Sequence, residues 1–317
     1  MLWGDRPYHS LDYELRRQFG RKVYKLALDG GMTCPNRDGT LGTGGCIFCS
    51  RGGSGEFAVS SGRYEDVWQQ IDAAMEKVAG KVPEDSGYMA YFQSYTNTYA
   101  PVSYLEPLFS RALSHPRVVG LSVGTRPDCL PEDVTALLEE LNRQKPVWVE
   151  LGLQTIHEET AAMIRRGYEL AVFEDAFERL KRAGLTVVVH VILGLPGETR
   201  EMMLQTVDYL GNLPADGIKL QLLHILEGTD LEELYKRTPF PLLSMEEYTD
   251  LIVECIGRLP GSVVIHRISG DGPKTILTEP KWSGNKRLVL NTIGKKIREN
   301  GIYQGKFREI YVQNSVF

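Results

Sequence analysis

The sequence predicts an α/β fold: a partial (β/α)6 TIM-like barrel followed by a C-terminal α/β extension. Strand-length apolar runs alternate with helical periods from about residue 21 to residue 230. Within the runs, apolar side chains occupy successive positions, as in parallel strands covered on both faces. After about residue 230 the alternation weakens. Repeated strand–helix units require right-handed crossovers and a parallel sheet. Six such units make three-quarters of a TIM barrel. A doubly wound open sheet shares the pattern and stays open as the alternative.

Residues 1–20, MLWGDRPYHSLDYELRRQFG, are polar and punctuated and form an N-terminal extension. The first strand is KVYKLAL (22–28), and a glycine-rich loop follows it. In the next helix Tyr64, Val67, Trp68, Ile71, Ala74, Met75 and Val78 keep the i, i+3, i+4, i+7 spacing of one apolar stripe. Further strands are expected at 88–93, 118–124, 147–153, 186–193 and 217–225, with helices at 104–114, 131–143, 157–166, 170–183 and 199–212. Pro131 suits a first helical turn and Gly184 a helix stop. In the extension, a helix at 244–259 begins with Ser244 and Glu247 at capping-box spacing. A short strand (262–268), a loop, and a final helix and tail from about 284 complete it. The expected domains are therefore 1–20, a core at 21–230, and an extension at 231–317 packed on the barrel and facing substrate. In such folds chemistry collects where the loops leave the C-terminal strand ends.

A formal net charge of −5 excludes nucleic-acid binding by bulk charge alone. No apolar run approaches the ~20 residues that cross a bilayer, so a cytoplasmic protein with no membrane partner is expected. Of five cysteines, Cys34, Cys46 and Cys49 fall in the loop after the first strand. Eleven residues separate the first from the second, and two the second from the third. In a reducing compartment such a group reads as metal-binding rather than disulfide-bonded. A structural zinc ion wants four ligands, usually as two close pairs, and only Cys46 and Cys49 form one. Three thiolates suit an iron–sulfur cubane instead, with one iron left open. Cys129 and Cys255 read as packing thiols.

Cys46-Ile47-Phe48-Cys49, with an aromatic residue before its last cysteine, resembles the ending of the cluster motif of radical S-adenosylmethionine (SAM) enzymes. The first gap is longer than the commonest form. Longer gaps occur in the branch related to the tRNA-modifying elongator enzymes and in the YtqA/YhcC-like subgroup. LDGGMTCPNRDGT, GGCIFCS and GGSGEF resemble that subgroup, and the resemblance spans nearly the whole chain. It implies a barrel of the radical SAM type and a [4Fe–4S] cluster on Cys34, Cys46 and Cys49. The open iron would chelate the SAM amino and carboxylate groups, and an electron from a donor such as flavodoxin or ferredoxin would release a 5′-deoxyadenosyl radical.

The same resemblance assigns SAM contacts. Phe48 lies within the motif. The turn Gln93-Ser94-Tyr95-Thr96-Asn97-Thr98 stands where the family binds the ammonium, with a polar turn as the alternative. Gln154 and Arg166 are spaced as in related branches, and Arg166 suits a carboxylate because arginine binds one through two hydrogen bonds, with a solvated helix face at Arg165 and Arg166 as the alternative. Gly194 is the close-approach position for adenine, and His190 stands near the ribose, with a satisfied core histidine as the alternative. After the third strand Arg126 is expected to point into the barrel mouth, for SAM or substrate, with a purely structural Arg–Asp turn as the alternative. Substrate candidates are Tyr95, Asn97, His224, His266, Arg267, Asp271, Trp282 and Lys286.

Between 274 and 308 nine Lys or Arg face only Glu279 and Glu299, with Trp282, Tyr303 and Phe307 interleaved. That stripe suits an RNA backbone, and a solvated helix face explains it equally well. The resemblance implies tRNA as substrate, at the C5 side chain of a modified wobble uridine. No acetyltransferase-like segment and no second cysteine cluster are present, so neither the full elongator reaction nor sulfur insertion is expected. Two alternatives remain: a radical SAM oxidoreductase for a small or porphyrin-like molecule, and a non-catalytic, zinc-stabilised RNA-binding protein.

Overall fold

A computed structural model describes residues 2–64, 66–270 and 272–308. The first half runs α1 (Leu11–Phe19), β1 (Val23–Leu28), α2 (Val67–Val78), β2 (Gly87–Phe92), α3 (Val102–Ser114), β3 (Val118–Thr125), α4 (Glu132–Asn142) and β4 (Val147–Gln154). It continues with α5 (Glu158–Met163), α6 (Leu170–Arg182), β5 (Thr186–Leu193), α7 (Arg200–Asn212), β6 (Gly217–Leu222), β7 (Ile225–Leu226) and α8 (Asp230–Arg237). Then come α9 (Met245–Arg258), β8 (Val264–Arg267), β9 (Leu277–Glu279) and α10 (Lys286–Glu299). One seven-stranded sheet has the order β1-β2-β3-β4-β5-β6-β8. The pairs β1/β2, β2/β3, β3/β4 and β6/β8 are parallel. Among the described residues no helix is long and apolar enough to cross a membrane.

The expected strands and helices are present, with four differences. Residues 11–19 form a helix although the segment is polar, because Leu15 supplies a buried anchor. The run 217–225 ends as β6 at Leu222 and resumes as β7, which pairs antiparallel with β9. The short strand β8 joins the main sheet as its seventh member, Gly217 opposite Val264. Pro131 is the residue that caps α4 rather than its first turn. Gly184 follows α6 in the left-handed region, at φ +68°.

The chain divides into two compact units. One comprises residues 15–152 and 165–188, the other residues 1–14, 153–164 and 189–317. In the first, every residue of β2 is buried, which matches a strand covered on both faces. Phe92 packs on Phe109 of α3 at 5.2 Å between ring centres. In the second, the capping box of Ser244 and Glu247 forms, and α9 packs against α7 and α10.

A buried ion pair marks the curvature of the first unit. The Lys25 ammonium on β1 hydrogen-bonds Ser122 Oγ on β3 at 3.3 Å and pairs with the Glu150 carboxylate on β4. It lies 5.1 Å from the Tyr91 ring centre and 4.8 Å from that of Trp148. Three strand spacings separate β1 from β4, about 14 Å on a flat sheet. Side chains stand nearly perpendicular to a sheet, so Lys25 and Glu150 meet only where it bends toward their face. The face carrying Lys25, Tyr91, Ser122, Trp148 and Glu150 is therefore concave.

The Glu150 side chain is fully buried and that of Lys25 is 13% exposed. Removing one partner strands a buried charge, which costs roughly 3–5 kcal/mol. Lys25→Met should destabilise the protein by about that amount in denaturant unfolding, and the double variant Lys25→Met/Glu150→Leu should recover most of the loss. A double variant no more stable than the single one would contradict the pair's role.

Candidate active site

The loop after β1 folds by its own hydrogen bonds. The Arg37 and Asp38 amides donate to the Cys34 carbonyl (2.8 and 3.2 Å), and the Cys49 amide donates to that of Cys46 (3.0 Å). The Gly45 amide donates to the Asn36 carbonyl (2.7 Å), joining the two turns across the eleven-residue gap. Gly45 has φ +75°, and a Cβ there would sit 2.8 Å from Arg37 Nε. The glycine therefore lets Arg37 cross the loop and donate to the carbonyls of Cys49 (2.9 Å) and Ser50 (2.6 Å). The long gap is thus a folded turn, and it supplies Asn36 and Arg37 beside the thiols.

Burial pushes the Cys46 thiol up to about 11, helped by nearby Cys49 and Cys34 and opposed by Arg126 and Asn36. Burial also raises Cys49, against the cation of Arg37. Metals bind the thiolate, so these cations favour the ligand form. Among the described residues no three or more His, Cys, Asp or Glu side chains are gathered as a site for one metal ion. A cubane holds each thiolate on a separate iron. Cys129 and Cys255 are buried, and burial pushes both thiols up to about 12, as packing thiols require.

The turn after β2 clamps the segment that follows Cys49. The Tyr95 amide donates to the Gly53 carbonyl (2.8 Å), and its hydroxyl to that of Arg51 (2.5 Å). Its ring packs so closely on Gly53 that any Cβ would collide, and Ser94 closes on Gly55 the same way. Gln93 Nε2 donates to the Ser54 carbonyl (2.6 Å). Gln93, Ser94 and Tyr95 thus stand beside the cysteine loop and hold it. Both the amide and Nδ2 of Asn97 donate to the Gly124 carbonyl (3.0 and 2.9 Å). Its Oδ1 is buried without a partner. Such an acceptor costs about 1–3 kcal/mol until a donor arrives.

Two arginines enclose Tyr168, 4.9 Å (Arg126) and 4.8 Å (Arg166) from its ring centre. Arg126, at the end of β3, holds Asp128 through two bonds (2.9 and 2.7 Å) and donates to the Arg166 carbonyl (2.9 Å). Burial disfavours its charge, but Asp128 outweighs that and raises its pKa. Arg166 is only 1% exposed and donates from Nε to the Tyr168 carbonyl (2.9 Å). The Tyr168 hydroxyl donates to the Gly152 carbonyl (2.8 Å). Sequence reasoning missed Asn36, Arg37 and Tyr168. The polar Pro-Asn-Arg run after Cys34 was the available signal for the first two.

The remaining candidates lie in the other unit. Gln154, in the left-handed region at φ +69°, has Oε1 buried without a partner. Beside it Thr155 Oγ1 donates to Glu198 (2.5 Å), a carboxyl raised by burial; neither residue was singled out from the sequence. Gly194 has φ +88°, and a Cβ there would meet Leu243 at 3.2 Å. His190 is half-buried on β5. His224 Nε2 lies 3.1 Å from Ser283 Oγ, with Gly270 and Gly272 against its ring. His266 and Arg267 are half-buried in β8. Asp271 lies outside the described residues. Trp282 donates to the Leu243 carbonyl (3.2 Å) and packs on Tyr248, and Phe307 packs on Gly257. Both rings thus have internal partners. Lys296 pairs with Glu246 (2.8 Å) and Asp250 (2.6 Å), and Arg308 with Asn212 (2.7 Å). Lys286, Arg287 and Arg298 are exposed on α10.

Residues 38–210 match the model of the Radical SAM superfamily, and residues 215–299 that of the Radical SAM C-terminal domain. The chain is 45% identical to YtqA of Bacillus subtilis, over 96% of this chain and 93% of that protein. It is 38% identical to YhcC of Escherichia coli, over 91% and 92%. It is 31% identical to the tRNA uridine(34) acetyltransferase of Methanocaldococcus infernus, over 57% of this chain and 34% of that one. The solved structure of Elp3 from Methanocaldococcus infernus has the same fold, with TM-score 0.67 at 23% identity. That likeness covers 89% of this chain and 64% of that chain, an Elp3 with an N-terminal deletion.

The Tyr95 clamp has a direct consequence. Gly53→Val should displace the ring and free the segment after Cys49, so trypsin should cut at Arg51 several-fold faster while the sheet's far-ultraviolet signal persists. Cleavage at the wild-type rate would contradict the clamp.

Proposed function

The chain is a member of the radical SAM superfamily, and we propose that Cys34, Cys46 and Cys49 hold its cluster and that it modifies the wobble uridine of tRNA. The superfamily's cofactors, a [4Fe–4S] cluster and SAM, are those of this chain, and membership sets aside a zinc-only, non-catalytic protein. When bound, the cluster supplies the electron that cleaves SAM to a 5′-deoxyadenosyl radical.

The observation that carries the ligand assignment is the folded loop, which presents three soft sulfur donors among Asn36, Arg37 and Arg126. Phe48 lies between two of these donors. Orphaned acceptors suit a ligand rich in donors: Asn97 Oδ1 for an ammonium, Gln154 Oε1 for ribose hydroxyls. Gln93 donates through Nε2, which leaves its carbonyl end to accept, and Ser94 stands next to it. Arg166 is a cation for the SAM carboxylate. Arg126 holds the turn from which Arg166 projects. Gly194 admits the adenine edge where a side chain would strike Leu243, with His190 near the ribose.

The tRNA reading is supported by the name of the Methanocaldococcus infernus relative, which acts on tRNA uridine 34. Exposed Lys286, Arg287 and Arg298 on α10 suit a phosphate backbone. Tyr95, His224, His266, Arg267, Asp271 and Trp282 remain substrate-side candidates, with Tyr95 and Trp282 acting through packing. A low-potential donor such as flavodoxin or ferredoxin supplies the electron.

The test is nucleoside mass spectrometry of tRNA from cells lacking this protein. One modified uridine should disappear or accumulate as its precursor. The wild-type gene should restore it, and Cys34→Ala, Cys46→Ala or Cys49→Ala should not. An unchanged profile would refute the tRNA reading.

A further inference from the structure

We infer that Asn36 sets the reduction potential of the cluster by hydrogen-bonding the Cys46 sulfur, and couples that sulfur to the turn carrying Arg166. The inference rests on the proposed role of Cys46 as a cluster ligand. Asn36 is only 6% exposed. Its Nδ2 lies 3.5 Å from Cys46 Sγ, 2.9 Å from the Arg165 carbonyl oxygen and 3.3 Å from that of Arg166. A primary amide nitrogen carries two hydrogens. One serves the two carbonyls, and the other points to the sulfur.

The orientation of the amide is not arbitrary. Flipping it would set Oδ1 against two carbonyl oxygens, so the network itself fixes which end is nitrogen. The opposite face is shaped for Oδ1. Gly167 has φ +83°, and a Cβ there would sit 2.7 Å from that oxygen. Arg165, at φ +56°, takes the same left-handed backbone without being glycine, so two left-handed residues flank Arg166 in the turn. Asn36 is thus a strut between the cysteine loop and the 165–167 turn.

A hydrogen bond to a ligand sulfur draws charge from the cluster and stabilises its reduced, more negative form. Asn36 is therefore a positioning residue that makes one-electron uptake from a low-potential donor easier. Its loss should weaken the reduction equilibrium by roughly tenfold or less, each tenfold being about 59 mV for one electron.

The test is a dithionite titration of anaerobically reconstituted full-length protein without SAM, following the electron paramagnetic resonance of the reduced cluster. Asn36→Leu should bind as much iron as wild type and show a lower midpoint potential. An unmoved or higher midpoint would overturn the inference. If Asn36→Leu binds less iron, Gly167→Ala decides, because its Cβ presses the amide away from Cys46 while residue 36 is kept. The same downward shift is expected, and none would overturn the inference. A wild-type chain that binds no iron would overturn the cluster assignment itself, and this inference with it.

Discussion

The site depends on one constraint: a long, glycine-rich loop must hold three sulfur donors in place. Ordering a loop costs about 1–2 kcal/mol of backbone entropy per residue, and glycines raise that cost. Three side chains offset it. Arg37 ties the Cys34 turn to the carbonyls of Cys49 and Ser50. Tyr95 clamps the strand of loop beyond Cys49. Asn36 fastens the loop to the turn after α5. The glycines that make the loop costly are also what let these contacts form, since side chains at Gly45 or Gly53 would block Arg37 or Tyr95.

The sheet serves the loop by placing its partners. β1, β2 and β3 end next to one another in parallel register, so the segments that leave them start from adjacent strand ends. Lys25 and Glu150 meet across β1 and β4 on the concave face of that part of the sheet. The Tyr168 stack belongs to the same frame: its hydroxyl ends on β4, while its ring organises Arg126 and Arg166.

The strands were legible because apolar runs betray double coverage, and the cysteines because three thiols at that spacing have few other uses. Gln154 and Arg166 came from a resemblance in spacing. The supporting residues were not legible. Asn36 meets its carbonyl partner across 129 positions and Lys25 its carboxylate across 125, separations at which local pattern carries no information. Glu150, a charge inside an apolar run, was a visible sign of a buried pair without naming its partner. The basic stripe misleads in part, since a list of charges does not show that Lys296 and Arg308 already have internal partners.

The proposed ligand set of Cys34, Cys46 and Cys49 would leave one iron of the cluster for SAM. The most direct measurement is electron–nuclear double resonance of the reduced, reconstituted protein with SAM isotope-labelled at its amino nitrogen and carboxylate oxygen. Hyperfine coupling of both labels to a single iron is expected. A full four-iron cluster that shows coupling to neither label would contradict it.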